Sequence, residues 1–200
     1  VVGAVILSSG SIIGSGTLTG DSFVLLQGNV NAVLGGTASL TKEGAGTVTL
    51  NNVNTYAGPT LISEGTLVYG SADAIPSTSA VTILAGAGLD LAGYSDTIGS
   101  LAGRGAVNLS TGTLTIGADN SSTSFDGVID GTVSGILTKI GNGILTLGGS
   151  NTYQGTTTVG GGMLKYAADN ILADSSDIIV AGGVLDVGTF TDTVGSVVLS

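Results

Sequence analysis

This chain repeats itself. Residues 40–69, LTKEGAGTVTLNNVNTYAGPTLISEGTLVY, align without a gap on residues 137–166, LTKIGNGILTLGGSNTYQGTTTVGGGMLKY, an offset of 97 from 40 to 137. From 85 to 181 the offset is 96: AGAGLDLAGYSDTIGS at 85–100 lies on AGGVLDVGTFTDTVGS at 181–196, pairing Asp90 with Asp186, Tyr94 with Phe190 and Asp96 with Asp192. One deleted residue near Gly70 accounts for the change. The copies run over about 40–101 and 137–198, and the start of the chain resembles the tail of a preceding unit.

Inside the unit runs a shorter rhythm of glycine, one residue, an aliphatic, a polar residue and another apolar one. It reads Gly46-Thr47-Val48-Thr49-Leu50, Gly65-Thr66-Leu67-Val68-Tyr69, Gly112-Thr113-Leu114-Thr115-Ile116, Gly143-Ile144-Leu145-Thr146-Leu147, Gly162-Met163-Leu164-Lys165-Tyr166 and Gly183-Val184-Leu185-Asp186-Val187. Each is a short period-2 strand opened by a turn glycine. Starts fall 19 to 21 residues apart where no insertion intervenes: 46 to 65, 143 to 162, 162 to 183. A sandwich or barrel also has short, evenly spaced strands, but it seldom repeats its own motif every coil length, whereas a solenoid must. The expected fold is therefore all-β, a parallel β-helix of about 8–10 rungs, each burying its apolar side against the next. Val48, Leu50, Leu67, Leu89, Leu145, Leu147, Leu164 and Leu185 should point inward, and Thr49, Thr146, Lys165 and Asp186 outward. No window shows a sustained helical period. Ala167–Asp174 (AADNILAD) is read as a single helical turn or a solvated loop.

Composition removes much chemistry. The chain has no His, which excludes a Ser-His-Asp engine, a His-ligated zinc site and a histidine pH switch as usually built. It has no Cys, and so no disulfide, thiolate nucleophile or Fe–S cluster. Four basic residues, Lys42, Arg104, Lys139 and Lys165, against 14 acidic ones leave a net charge of −10, which repels a polyphosphate partner; no nucleic acid is expected. Nor is membrane insertion, because no stretch approaches the roughly 18 apolar residues a span needs. The opening run Val1–Leu7 lacks an initiator Met, a basic flank and the length of a signal peptide. The chain is expected to be one β-helix segment, 1–200, cut from inside a longer protein.

These residues resemble the passenger-associated strand repeat of bacterial autotransporters, whose pattern runs L-x-K-x-G-x-G-T-L-T-L-x-G-x-N-T-Y-x-G-x-T-x-V-x-x-G-T-L. Here it reads Leu40, Lys42, Gly44, Gly46, Leu50, Asn54-Thr55-Tyr56, Gly58, Thr60, Ile62, Gly65-Thr66-Leu67, and again Leu137, Lys139, Gly141, Gly143, Leu147, Asn151-Thr152-Tyr153, Gly155, Thr157, Val159, Gly162, Leu164. The stretch 87–109 and Phe125–Ile129 are similar to the segments that flank this repeat. Pro59 and Asn51-Asn52 depart from the pattern without threatening a strand. The resemblance implies a right-handed parallel β-helix displayed outside a Gram-negative cell and exported through a C-terminal outer-membrane β-barrel of the same parent chain. It also implies that the repeat serves secretion and folding more than binding, with a host or cell-surface ligand as a further possible partner.

Candidate sites are weighed against plain structural roles. Asp90 with Asp186 and Asp96 with Asp192 stand one repeat apart, about 20 Å at about 4.8 Å per rung, whereas a glycosidase dyad needs roughly 5 to 9.5 Å; they are expected to be repeat copies on a solvated surface. Glu43 and Glu64 stack on neighbouring rungs as turn residues. Asp126 with Asp130, and Asp174 with Asp177, lack the spacing of a calcium loop. The Gly-x-Gly pairs 14/16, 44/46, 86/88 and 141/143 complete no dinucleotide fingerprint. Tyr56 and Tyr153 read as structural plugs at a corner rather than sugar grips. Thr-x-Thr pairs at 17/19, 47/49, 113/115 and 156/158 have gaps of 30, 66 and 43 that fit no single ice-binding face. No catalytic, cofactor-binding or metal residue is assigned. The expected function is a non-enzymatic stalk segment displaying adhesive regions, with a directly binding adhesin as the alternative. A β-helix polysaccharide-degrading enzyme and an ice-binding solenoid are the remaining classes.

Overall fold

Alternation of apolar and polar residues over four positions turns two side chains in and two out. In the computed structural model, which describes residues 3–200, this produces twenty-six strands of two to four residues and no helix among the described residues. Val1 and Val2 of the opening apolar run lie outside them. Every pairing is parallel, and strands that are neighbours in a sheet are one coil apart in sequence: Thr47 lies beside Thr66, Thr66 beside Gly88, and Gly88 beside Ala106. The molecule is a parallel β-solenoid.

Each coil has three faces. The first is a ten-stranded sheet running from Ala4–Leu7 through Ser22–Leu25, Ser39–Lys42 and Thr60–Ile62 to Val184–Asp186. A seven-stranded sheet, from Ser11–Ile12 to Val128–Asp130, makes the second. The third face is split. Thr17–Thr19, Val33–Gly36 and Thr55–Tyr56 form a three-stranded sheet, and a six-stranded sheet begins at Asp96–Ile98 and ends at Ser196–Leu199. Between them residues 71–79 form a loop without a strand, with Ala74, Ile75 and Ser79 buried, because the chain there lacks the alternating pattern.

Stacked inward residues fill the centre. On the first face Phe23, Leu40, Thr60, Val81 and Leu101 form one column. On the second, Val48, Leu67, Leu89, Val107 and Ile129 form another, all buried. Each such leucine or valine contributes about 1.5–3 kcal/mol by leaving water. Val48, Leu50, Leu67, Leu89, Leu145, Leu147 and Leu164 are buried as expected, and Leu185, in the last coil, is half-buried. Ala167–Asp174 is a loop rather than a helical turn, exposed at Ala167, Asp169, Asn170 and Asp174, but with Ile171 and Leu172 buried. The aliphatic side chains of those two plug the corner.

Corners are tight where glycine adopts a backbone that other residues resist. Gly44 and Gly65 have φ of 67° and 62°. A Cβ on Gly65 would run into the carbonyl oxygens of Gly44 and Gly46 in the coil below, so the turn closes only with glycine.

The two repeat copies do not occupy the same side. Ser39–Lys42 lies on the first face, but its copy Ile136–Lys139 lies on the third; Thr47–Leu50 lies on the second, and Ile144–Leu147 on the first. The later copy is rotated by one face about the axis.

Candidate functional site

The motif residues of both copies turn inward and bond between coils. Lys42 follows the phase of Leu40, two residues earlier, and is therefore buried. Its ammonium donates to the carbonyls of Glu43 at 2.7 Å, Gly44 at 2.7 Å and, in the next coil, Glu64 at 3.1 Å. Lys139 does the same with Ile140, with Gly141 at 3.3 Å and with Gly161 at 3.4 Å. Burial lowers both lysine pKa values, opposed by the charges of Glu64 and Asp119 respectively.

Asn54 spans three coils. Its Oδ1 accepts from Leu34 N at 2.8 Å, and its Nδ2 donates to the Ala74 carbonyl at 2.8 Å. Asn151 repeats this between Ile129 N and the Ile171 carbonyl, both at 2.8 Å. Tyr56 and Tyr153 are fully buried plugs, as expected, with hydroxyls bonded to Thr60 at 2.7 Å and Thr157 at 2.6 Å. Burial pushes both phenols well up.

Asp96 corrects the expectation of a solvated surface. It shares the inward phase of Ile98 and is only 4% exposed. Its Oδ2 accepts from Ile75 N at 3.0 Å, and its carboxylate faces the buried hydroxyl of Tyr69. Burial raises its pKa to about 6, against the pull of the Tyr69 hydroxyl and the Ile75 and Thr97 amides. Asp192, partly exposed, makes the equivalent hydrogen bond, accepting from Leu172 N at 3.1 Å beside Tyr166. Asp90 and Asp186 each cap their own turn, at Ala92 N and Gly188 N. They lie on the second and first faces, so they are separated by rotation as well as by rise.

The remaining carboxylates have local duties. Glu43 and Glu64 are exposed on adjacent coils, joined only through their main-chain carbonyls on Lys42. Asp126 pairs with exposed Arg104 at 3.4 Å, Asp130 accepts from Thr152, and Asp177 accepts from Ser196. Among the described residues no three His, Cys, Asp or Glu gather as a metal cage. A cavity of about 570 Å³ opens where the third face is split, lined by Asn54, Asp73, Pro76, Ser77, Thr78 and Asp96 among others. Two carboxylates, Asp73 and Asp96, line it, and the buried Asp96 accepts from Ile75 N.

Threonines do share one face. The 43-residue gap between Thr113/Thr115 and Thr156/Thr158 is two coils: Thr97, Thr115, Thr138 and Thr158 form one in-register column on the third face. The second column is interrupted by Ile136, beside Thr113, and the next coil continues the first with Ile179.

Sequence comparison gives two matches. The Passenger-associated-transport-repeat model matches residues 40–68 and 137–165. The chain is 39% identical over 199 residues to a protein of Brucella suis biovar 1 (strain 1330) named Adhesin BmaC autotransporter; the match covers 88% of this chain and 6% of that protein. No solved structure matches. The matched repeat segments begin at Leu40 and Leu137, and they contain the Lys, Asn and Tyr whose bonds tie coil to coil.

Proposed function

Because this chain belongs to the autotransporter passengers built on the Passenger-associated-transport-repeat, we propose that it is a non-enzymatic stalk, one segment, 1–200, of a longer surface passenger. In this reading it aids secretion and holds adhesive regions away from a Gram-negative outer membrane. The observation that carries it is the direction of the motif side chains. Lys42, Asn54 and Tyr56 and their copies Lys139, Asn151 and Tyr153 face the interior and satisfy neighbouring coils, leaving none of these six to grip a ligand. Each new coil covers the apolar face of the previous one, so stacking outside the cell supplies free energy for movement of the chain without ATP. The partner for export is a C-terminal β-barrel of the parent.

The test is to display the parent passenger with this segment altered. Exposed residues such as Asn29, Thr47 and Asn108 are changed to Ser in one variant, and Lys42, Asn54 and Tyr56 to Ala in another. A stalk tolerates the first with surface level and cell attachment unchanged, and loses surface level with the second. Loss of attachment at normal surface level in the first variant would instead make this segment itself the adhesive one, the reading favoured by the name of the Brucella relative. The threonine column is too narrow for the ice-binding alternative, and the purified chain is expected to show no thermal hysteresis.

A further inference from the structure

The split in the third face leaves an acidic hollow in the middle of the rod. Residues 71–79 carry no strand, so one sheet ends at Thr55–Tyr56 and the next begins at Asp96–Ile98, with the cavity of about 570 Å³ between them. That volume lies within the range of about 300–1,000 Å³ usual for sites that hold a small organic molecule. Asp73, exposed on the loop, and the buried Asp96 bring two carboxylates to it. With its pKa at about 6, Asp96 is largely ionised at pH 7. None of the four basic side chains lines the cavity. Lys42 and Lys139 are bonded to main-chain carbonyls elsewhere, and Arg104 and Lys165 face Asp126 and Asp186.

Stacking of the coils does not call for a carboxylate here. Asp96 Oδ2 accepts from Ile75 N in the coil below, the task that Asn54 Oδ1 performs for Leu34 N and Asn151 Oδ1 for Ile129 N. Each asparagine then donates its Nδ2 to a carbonyl of the coil above. The second oxygen of Asp96 has no hydrogen-bond partner, and neither has the buried Tyr69 hydroxyl beside it or Ser71 Oγ. Asparagine would tie the coils together without a buried charge, so the charge answers to something other than the coil contact. The second copy keeps Tyr166 and Asp192, with the same two oxygens unpartnered. There Asn170, at the φ of 52° that Asp73 also has, stands in place of the second carboxylate. The paired charge belongs to the first copy.

We propose that this cavity binds an alkylammonium group, its charge seated between Asp96 and Asp73 and its carbon chain lying against Val53, Ile75 and Pro76, the apolar part of the lining. An ammonium carries three donors on one atom, one each for Asp96 Oδ1, the Asp73 carboxylate and the Tyr69 hydroxyl. Lys42, whose ammonium serves three carbonyls, shows that the coils of this solenoid accommodate such a head group. A bare metal ion fits less well. Calcium takes about six to eight oxygens at close range, whereas no third acid joins the two carboxylates among the described residues, and the cavity is far wider than an ion. The group arrives as a lysine side chain of a partner polypeptide or on a free aliphatic amine, and the net charge of −10 attracts either. The site adds to the stalk reading and does not rest on it.

Calorimetric titration and amide NMR shifts of the 200-residue chain test this with defined probes. Nα-acetyl-lysine amide stands for a polypeptide side chain, putrescine for a free amine, Nα-acetyl-norleucine amide for the same carbon chain without charge, and calcium chloride for a metal. Saturable binding of the lysine or the amine probe is expected, with shifts at Thr55, Asp73 and Thr97, and none with norleucine. Asp96→Asn, which keeps the acceptor for Ile75 N, is expected to weaken binding at least about tenfold, and Asp73→Asn about threefold. Asp126→Asn, at a carboxylate paired with Arg104, is expected to leave it unchanged. Tighter binding of the lysine probe assigns the site to a polypeptide partner, and tighter binding of putrescine to a free amine. The proposal is overturned if norleucine binds as well as lysine, if Asp126→Asn loses as much as Asp96→Asn, if calcium gives the same shifts at lower concentration than either amine, or if no amine saturates. Should Asp96→Asn fail to fold, Asp73→Asn on its exposed turn decides: unchanged affinity refutes the site.

Discussion

Lys42 and Lys165 show how little a residue type says without its phase. Lys165 lies outward and pairs with Asp186 across 3.9 Å of solvated surface, an interaction worth well under about 1 kcal/mol. Lys42 ends inside, and its ammonium is the donor for three carbonyls. Lys42→Met leaves those carbonyls without it and is expected to cost about 2–4 kcal/mol, while Lys165→Met should move the denaturation midpoint hardly at all; equal effects of the two would refute the buried role. Asp96 makes a second prediction. Its folded pKa, about 6, lies above the ordinary 3.8, so the folded state holds a proton that the unfolded state releases between those values. Its contribution is full below about pH 4 and is lost as pH rises through about 6. Asp96→Asn keeps an acceptor for Ile75 N, in the manner of Asn54, and should stabilise the fold at pH 7 by about 3 kcal/mol and flatten the stability curve between pH 4 and 6. A wild-type curve that rises with pH across that window contradicts the assignment.

The strands were legible as elements because glycine marks each turn and alternation marks each strand; Gly46–Leu50 and Gly65–Tyr69 fall side by side as their spacing requires. What was not legible follows from the same alternation applied too narrowly. Asp96 and Lys42 are polar, but each is two residues from an inward aliphatic, Ile98 or Leu40, and the backbone places a side chain by parity rather than polarity. Ile171 and Leu172 sit in a segment without alternation, so only packing shows them buried. The threonine column was missed because a gap of 43 must be divided by two coils before it reveals a shared face. At this scale the corner glycines are the sharpest test. Gly65→Ala combines a positive φ with a Cβ against two carbonyl oxygens and should cost several kcal/mol, more than the roughly 1 kcal/mol of strain alone. Gly3→Ala, where a Cβ meets nothing, should be neutral in thermal unfolding.

Among the described residues, strand pairing joins each coil only to its neighbours, so length can change in coil-sized steps. Deleting residues 47–65 joins Gly46 to Thr66, the register partner of Thr47, and should leave a folded, shorter rod with a modestly lower unfolding temperature; complete loss of β structure on this deletion would argue for a globular core rather than a stack. The rotation of the second copy by one face has its own outcome for anything that reads the surface. A feature carried by the repeat, whether a bulky loop or an added sugar, does not line up as a stripe but winds like steps around a spiral stair. Three recurrences bring it back to its first compass heading, so a passenger made of such units would offer the same decoration to neighbours on every side.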